Sequence, residues 1–135
     1  ALTSGPVDLV VCNPPFHPAA SGRLNPDPQR AVARHEIKLT LSELIETAAR
    51  MLRDGGRFAA VYPVGRMADM LLEMRQGGLM PGSLRLVHPK KNGPAKLFLV
   101  EGVKGGGAAL EVPPPIVLYK ASGGYTDEAA SMFLP

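Results

Sequence analysis

An apolar run, Val7-Asp8-Leu9-Val10-Val11-Cys12, stops abruptly at Asn13-Pro14-Pro15-Phe16. Neither proline donates a backbone hydrogen bond and each confines its predecessor to extended angles, so the stretch cannot open a helix. It reads as a buried strand feeding a rigid turn. In open α/β folds ligands sit beyond the carboxyl ends of the strands, and a stiff turn there fixes Asn13, the Pro14 carbonyl and the Phe16 ring in place. Those groups suit a flat substrate with an amino group. The Asn13 amide oxygen and the Pro14 carbonyl accept its two hydrogens, while Phe16 stacks on its face, a contact of about 1–3 kcal/mol for a nucleobase. Holding both hydrogens in bent positions favours a tetrahedral nitrogen whose lone pair faces an electrophile, and it stabilises the charge that develops on attack. The plain alternative is an Asn-Pro turn that only closes a strand.

After this corner a polar, proline-rich loop runs from His17 to about Gln29 and reads as a substrate lid. Arg23, Arg30 and Arg34 are candidates to meet phosphates, against the alternative of a solvated loop face. Thr40-Leu41-Ser42-Glu43 has capping-box spacing. Behind it Leu41, Leu44, Ile45, Ala48 and Leu52 share one helical face, and Gly55-Gly56 reads as the helix stop. Arg57 to Tyr62 is the next strand, expected to be buried on both faces and stopped by Pro63. Strand, helix, strand implies a parallel crossover.

Met67, Met70, Leu71 and Met74 recur at helical spacing and read as core filler, with Gly77-Gly78 as the stop. Ser83 to His88 is expected as a short strand and Lys96 to Lys104 as a longer one. The turn between them carries Lys90 and Lys91, with Lys96 at its edge, and these lysines are the candidate contacts to nucleic-acid phosphates, against the alternative of an ordinary solvated loop. Gly105-Gly106-Gly107 lacks the helix start that a phosphate-cradling loop needs, and reads as a flexible hairpin tip. Pro113-Pro114-Pro115 then leads to Ile116–Tyr119, an edge strand or arm. Asp127 and Glu128 suit the first turn of a short last helix.

A chain of 135 residues and net charge +3 is long enough for one core and permits a nucleic-acid partner without demanding one. No apolar run approaches the ~18 residues of a membrane span, and no secretory signal is visible. Cys12 is the single cysteine, so no internal disulfide forms and a cytoplasmic, reducing setting is expected. His17, His35 and His88 have no cysteine or paired carboxylate at ligand spacing, so no metal is expected. No Gly-x-Ser-x-Gly elbow exists for a serine nucleophile.

The corner Asn13-Pro14-Pro15-Phe16 after Asp8-Leu9-Val10-Val11 resembles the fourth motif of S-adenosylmethionine-dependent amino methyltransferases. Ala33-Arg34-His35-Glu36, Leu52-Arg53-Asp54-Gly55-Gly56-Arg57, Leu86-Val87-His88-Pro89-Lys90-Lys91, Pro94-Ala95-Lys96 and Gly124-Tyr125-Thr126 resemble, in that order, bacterial tRNA adenine N(6)-methyltransferases that act on valine tRNA beside the anticodon. The likeness covers nearly the whole chain, but only the second half of such an enzyme.

The resemblance implies an α/β fold, the carboxyl-terminal half of a Rossmann-like class I methyltransferase sheet: strands four to seven, parallel with an antiparallel last strand. It implies S-adenosylmethionine as cofactor, and tRNA adenine as the methyl acceptor. Asn13, Pro14, Pro15 and Phe16 would be the catalytic corner, with Asn13 also at the cofactor. His17, Arg34, His35, Lys90, Lys91 and Lys96 would bind RNA, although His35 reads more readily as a hydrogen-bonded structural residue than as a base. Residues 1–135 would form a partial catalytic domain whose amino-terminal cofactor-binding half is missing, since no glycine-rich turn or ribose-gripping acid precedes Asp8. Activity is then expected only in a full-length enzyme. A free strand edge would favour a homodimer, recruitment of the other half, or aggregation. The same corner also resembles ribosomal RNA guanine amino methyltransferases and glutamine-amide methyltransferases of proteins, and a non-catalytic RNA- or protein-binding fragment is a further alternative.

Overall fold

The computed structural model of the protein describes residues 6–13, 41–107 and 109–133. Strands β1 (Val7–Cys12), β2 (Leu52–Pro63), β3 (Leu79–Lys90), β4 (Leu97–Lys104) and β5 (Ile116–Tyr119) form one sheet in the order β1-β2-β4-β3-β5. β1 and β2 are parallel, β4 is antiparallel to both β2 and β3, and β5 is parallel to β3. Four strands therefore point one way, with the antiparallel β4 inserted between β2 and β3. This is the expected α/β sheet, extended by the short fifth strand. Helix α1 (41–51) links β1 to β2 in the described chain, α2 (Met67–Gln76) follows a single 3-10 turn after β2, and α3 (Asp127–Phe133) closes the described chain.

Alternation divides the sheet into two faces. Phe58, Ala60 and Tyr62 of β2, Phe98 and Val100 of β4 and Leu84 of β3 are buried on one of them, opposite each other across the ladders. Leu41, Ile45 and Ala48 of α1 and Met70 and Met74 of α2 pack on that face. Burial of each of the larger apolar side chains among them is worth about 1.5–3 kcal/mol. The methionine spacing of α2 is core filler, as expected. The other face holds Leu9 and Val11 of β1, Ala59 and Val61 of β2, Leu97 and Leu99 of β4, and Val87 and Ile116 near the opposite edge. There α3 covers only the β3–β5 side: Ala129 is buried, and Arg85 donates to Glu128 at 2.9 Å. Thr126 caps that helix, accepting from the Ala129 N–H at 3.2 Å, with Asp127 and Glu128 in the first turn.

Several expectations need correction. β1 is not the buried strand expected: at an edge of the described sheet, its Val10 and Cys12 meet the core while Leu9 and Val11 are 51% and 66% exposed. β2 is fully buried on one face only. The α1 helix stops at residue 51, before Leu52, and Gly55 with φ +83° sits within β2 instead of capping the helix. Leu52 stays in the core, and Lys104 Nζ donates to its carbonyl at 2.7 Å where the helical ladder has ended. β3 is twelve residues long, twice the expected strand, because a register shift between Pro81 and Ser83 accommodates the proline.

Gly105–Gly107 is not a hairpin tip. Gly105 donates to the Gly78 carbonyl at 3.1 Å, and the chain then runs beside β3, with Glu111 bridging Ser83 in parallel, into β5. Edge-strand β5 and the short last helix agree with expectation. The loop from His17 to Gln29, Arg30, and the capping box through Thr40 lie at least partly outside the described residues.

Candidate functional site

Because β1, β2, β3 and β5 run the same way, their carboxyl ends share one edge of the sheet, and β4 contributes its amino end there. Along this edge stand Asn13, Pro63, Leu97 after Lys96, Lys90 and Tyr119, in the spatial order of the strands. Asn13 is exposed just past β1. Beside it a cavity of about 420 Å³ is lined by Val61, Leu97, Leu99, Leu118 and Met132. Of these, Val61, Leu97, Leu99 and Leu118 belong to the second, less covered face of the sheet and Met132 to α3. A polar amide at the mouth of an apolar hollow of this size has the form of a small-molecule or base site.

On the core face below Asn13, the Cys12 Sγ and Tyr62 hydroxyl are 4.0 Å apart. Burial pushes the Cys12 thiol up, partly offset by the Tyr62 contact, so the thiol is not an activated nucleophile. The Tyr62 hydroxyl is pushed up to about 12, first by burial and then by Cys12, while Arg66 pulls the other way. Arg66 lies in the 3-10 turn after β2, with Nη1 3.5 Å from Asp69, while its buried Nε and Nη2 have no hydrogen-bond partner among the described residues. A guanidinium with two shielded, unsatisfied donors near the corner is a strong site for an acceptor.

Lys90 and Lys91 are exposed on the β3–β4 turn, and Lys96 is exposed at its far side. His88 Nδ1 lies 2.8 Å from the Gly93 carbonyl, which can only accept, so Nδ1 donates; Gly93 in turn donates to the Lys90 carbonyl at 3.1 Å. His88 therefore stiffens the lysine turn. The fold brings Asn13 and the three lysines onto one edge, although β2 and β4 separate Asn13 from β3. Pro14, Pro15, Phe16, His17, Arg34 and His35 lie outside the described residues. Sequence reasoning missed Tyr62, Arg66, Tyr119 and Lys120. The strand stop at Pro63 could have drawn attention to Arg66 just beyond it, but only the register reveals the others. Among the described residues, no group of three His, Cys, Asp or Glu side chains is placed to hold a metal, and no helix is long and apolar enough to cross a membrane.

No family model matches the sequence. The chain is 32% identical over 131 residues to a protein of Porphyromonas gingivalis named tRNA1(Val) (adenine(37)-N6)-methyltransferase, covering 95% of this chain and 50% of that one. A Trichodesmium erythraeum protein of the same name is 34% identical over 94 residues, covering 70% of this chain and 38% of its own. Among solved structures, a predicted O-methyltransferase from Agrobacterium tumefaciens superposes with TM-score 0.68 at 19% identity, over 93% of this chain and 50% of that one. A Thermus thermophilus protein described as a putative DNA modification methylase, complexed with S-adenosyl-L-methionine, superposes with TM-score 0.54 at 22% identity, over 82% of this chain and 54% of that one. The chain spans about half the length of these relatives.

Proposed function

We propose, for a chain homologous over nearly all its length to the tRNA1(Val) (adenine(37)-N6)-methyltransferases, that it forms the methyl-accepting half of an S-adenosylmethionine-dependent enzyme acting on the exocyclic amine of adenine in tRNA. The observation that carries this reading is the exposed Asn13 amide at the carboxyl end of β1, at the mouth of an apolar hollow. The resemblance of Asn13-Pro14-Pro15-Phe16 to an amino-methyltransferase motif supplies the chemistry of the corner.

In this reading the Asn13 side-chain oxygen and the Pro14 carbonyl accept the two amine hydrogens, and Phe16 holds the base by its face. The base must leave its stack to reach them. The two acceptors bend the amine so that its lone pair points outward, and they stabilise the positive charge that grows on nitrogen until one proton departs to solvent. S-adenosylmethionine, when bound, supplies the electrophilic methyl. Asn13 fits one rim of its site; the glycine-rich turn that the resemblance places in such a site is not in this sequence. Lys90, Lys91 and Lys96 meet RNA phosphates on the same edge. The thinly covered second face, with Leu9 and Val11 exposed, and the outer edge of β1, unpaired among the described residues, suit docking of the remaining half of the catalytic domain.

The test is methylation of purified tRNA by the whole enzyme that carries this chain. Asn13→Ala should lower the methyl-transfer rate about 10²- to 10³-fold, the cost of removing one such polar group from a transition state, while tRNA binding persists. Unchanged turnover removes the acceptor role, and transfer to protein glutamine in place of tRNA adenine replaces the substrate class.

A further inference from the structure

The far end of the same edge carries a site that the corner does not use. After β5 the chain folds back: Lys120 donates to the Gly124 carbonyl and Gly123 to the Lys120 carbonyl, each at 2.9 Å, with Gly123 at φ +91° and Gly124 at φ +80°. This tight turn bridges Tyr119 to Tyr125 and stacks their rings, with centroids 5.4 Å apart and planes 14° from parallel. Beneath it Thr126 donates its N–H to the Leu118 carbonyl at 2.8 Å, so backbone bonds hold the returning strand. Both rings are 40% exposed.

Next to the pair lies a cavity of about 410 Å³ between this turn and the β3–β4 turn. Its lining includes Tyr119, Lys90, Lys91, Asn92 and Lys120, and no acidic residue among the described ones. Tyr125 is not part of the lining, to which Tyr119 belongs; its ring stacks on that of Tyr119. An aromatic surface held in place by backbone bonds, beside three exposed ammonium groups and an amide, matches the parts from which single-stranded nucleic acid sites are made. Lysines without the ring would recognise any polyanion; a ring without the lysines would recognise any flat apolar group.

We propose that Tyr119, backed by Tyr125, stacks an unpaired RNA base in this cavity, with Lys90, Lys91 and Lys120 holding the phosphates on either side. The inference rests on the tRNA reading and deepens it by adding a second base site. Tyr119 is in register with Lys90 at the carboxyl end of β3, and β1 is four strand spacings away, ~19 Å at ~4.8 Å each. A stacked strand at ~3.4 Å per nucleotide covers that span in about five or six nucleotides. The two sites therefore lie within reach of a single loop, and the Tyr119 site would hold one of its bases while the Asn13 corner receives another.

The test is binding of single-stranded RNA heptamers to the protein, with inorganic polyphosphate as the charge-only competitor. Tyr119→Leu, which keeps apolar bulk but removes the π face, should weaken binding roughly 5- to 150-fold, from the ~1–3 kcal/mol per stacked base, while Tyr119→Phe stays within about twofold. The triple change of Lys90, Lys91 and Lys120 to Gln should lower the slope of log affinity against log salt by up to about 2, at ~0.7 per phosphate. The protein contains no tryptophan and three tyrosines, so RNA should also quench a tyrosine emission that comes largely from this pair. If a variant misfolds, a 5-iodouridine heptamer photocrosslinked to the unaltered protein must still react at Tyr119. Equal affinity of Tyr119→Leu, displacement by polyphosphate as effective as by RNA, or crosslinks confined elsewhere overturns the second site while the tRNA reading stands. Absence of any RNA binding by the unaltered protein overturns both.

Discussion

The two faces of the sheet are built from the same strands, yet they are in opposite states. On one, Phe58, Phe98, Val100, Met70 and Met74 have no solvent exposure. On the other, among the described residues, one short helix covers the β3–β5 side, and Leu9 and Val11 of β1 are largely open. The first face has the sealed packing that stability requires. The second carries the hollow beside Asn13, and its apolar residues are available to a substrate or to more protein.

The sharpest way to break this comparison is to remove a side chain from the sealed face. Phe98→Ala should lower the unfolding free energy by about 3–5 kcal/mol, because a buried aromatic leaves a cavity that its neighbours cannot fill. A denaturant midpoint that barely moves would mean that the packing around Phe98 is loose. Gly102→Ala probes the same face by addition. Its Cβ would come 2.5 Å from Met74 Cε and 3.1 Å from the Met80 carbonyl oxygen. The methionine can swing aside but the backbone oxygen cannot, so a loss of about 1–3 kcal/mol is expected. Thermal melting at unchanged Tm would show that β3 and β4 can part there.

Tyr62 connects the sealed face to the corner, and its hydroxyl tests the connection through pH. An unfolded tyrosine ionises near 10, and in the fold the value is pushed up to about 12, chiefly by burial. The folded state therefore holds this proton more tightly. The resulting stability is fully present below about pH 10 and is lost as the pH climbs toward 12. Thermal melts of Tyr62→Phe should fall less steeply than those of the unaltered protein across that window. Parallel curves would place the hydroxyl in contact with water.

How far the sequence revealed this arrangement depended on the range over which each feature is decided. The apolar run into Asn13 and the methionine spacing of α2 are local patterns, and both were legible. Leu52 was legible as a core residue by its spacing from Ala48, but not as the start of a strand. Its side chain is buried in either backbone state, and a lysine 52 positions away meets its carbonyl. Pro81 hid half of β3, since a proline reads as a strand breaker unless a register shift is known to absorb it. The path after Gly105 is fixed by a hydrogen bond to Gly78, and the Tyr119–Tyr125 stack by two left-handed glycines. Neither leaves a periodic trace. At the site, chemistry nominated Asn13 and the lysines as candidates, while their common edge followed only from the strand directions.

The smallest expected effect isolates the comparison within one strand. Val10 and Val11 are consecutive residues of β1 with identical side chains; Val10 packs against the core and Val11 is 66% exposed on the other face. Valine to threonine conserves shape and adds a hydroxyl, so it measures only whether the position is dry. At Val10 the hydroxyl leaves water without a designed partner and should cost about 1–3 kcal/mol. At Val11 the change should stay within about 0.5 kcal/mol, as for other solvated surface positions. Urea unfolding of the two single variants in parallel decides the matter. Equal costs would mean that Val11 is also covered in solution, by a second copy or by residues beyond the described ones. Sedimentation at two protein concentrations then tells these apart, because a second copy leaves with dilution and an internal segment does not.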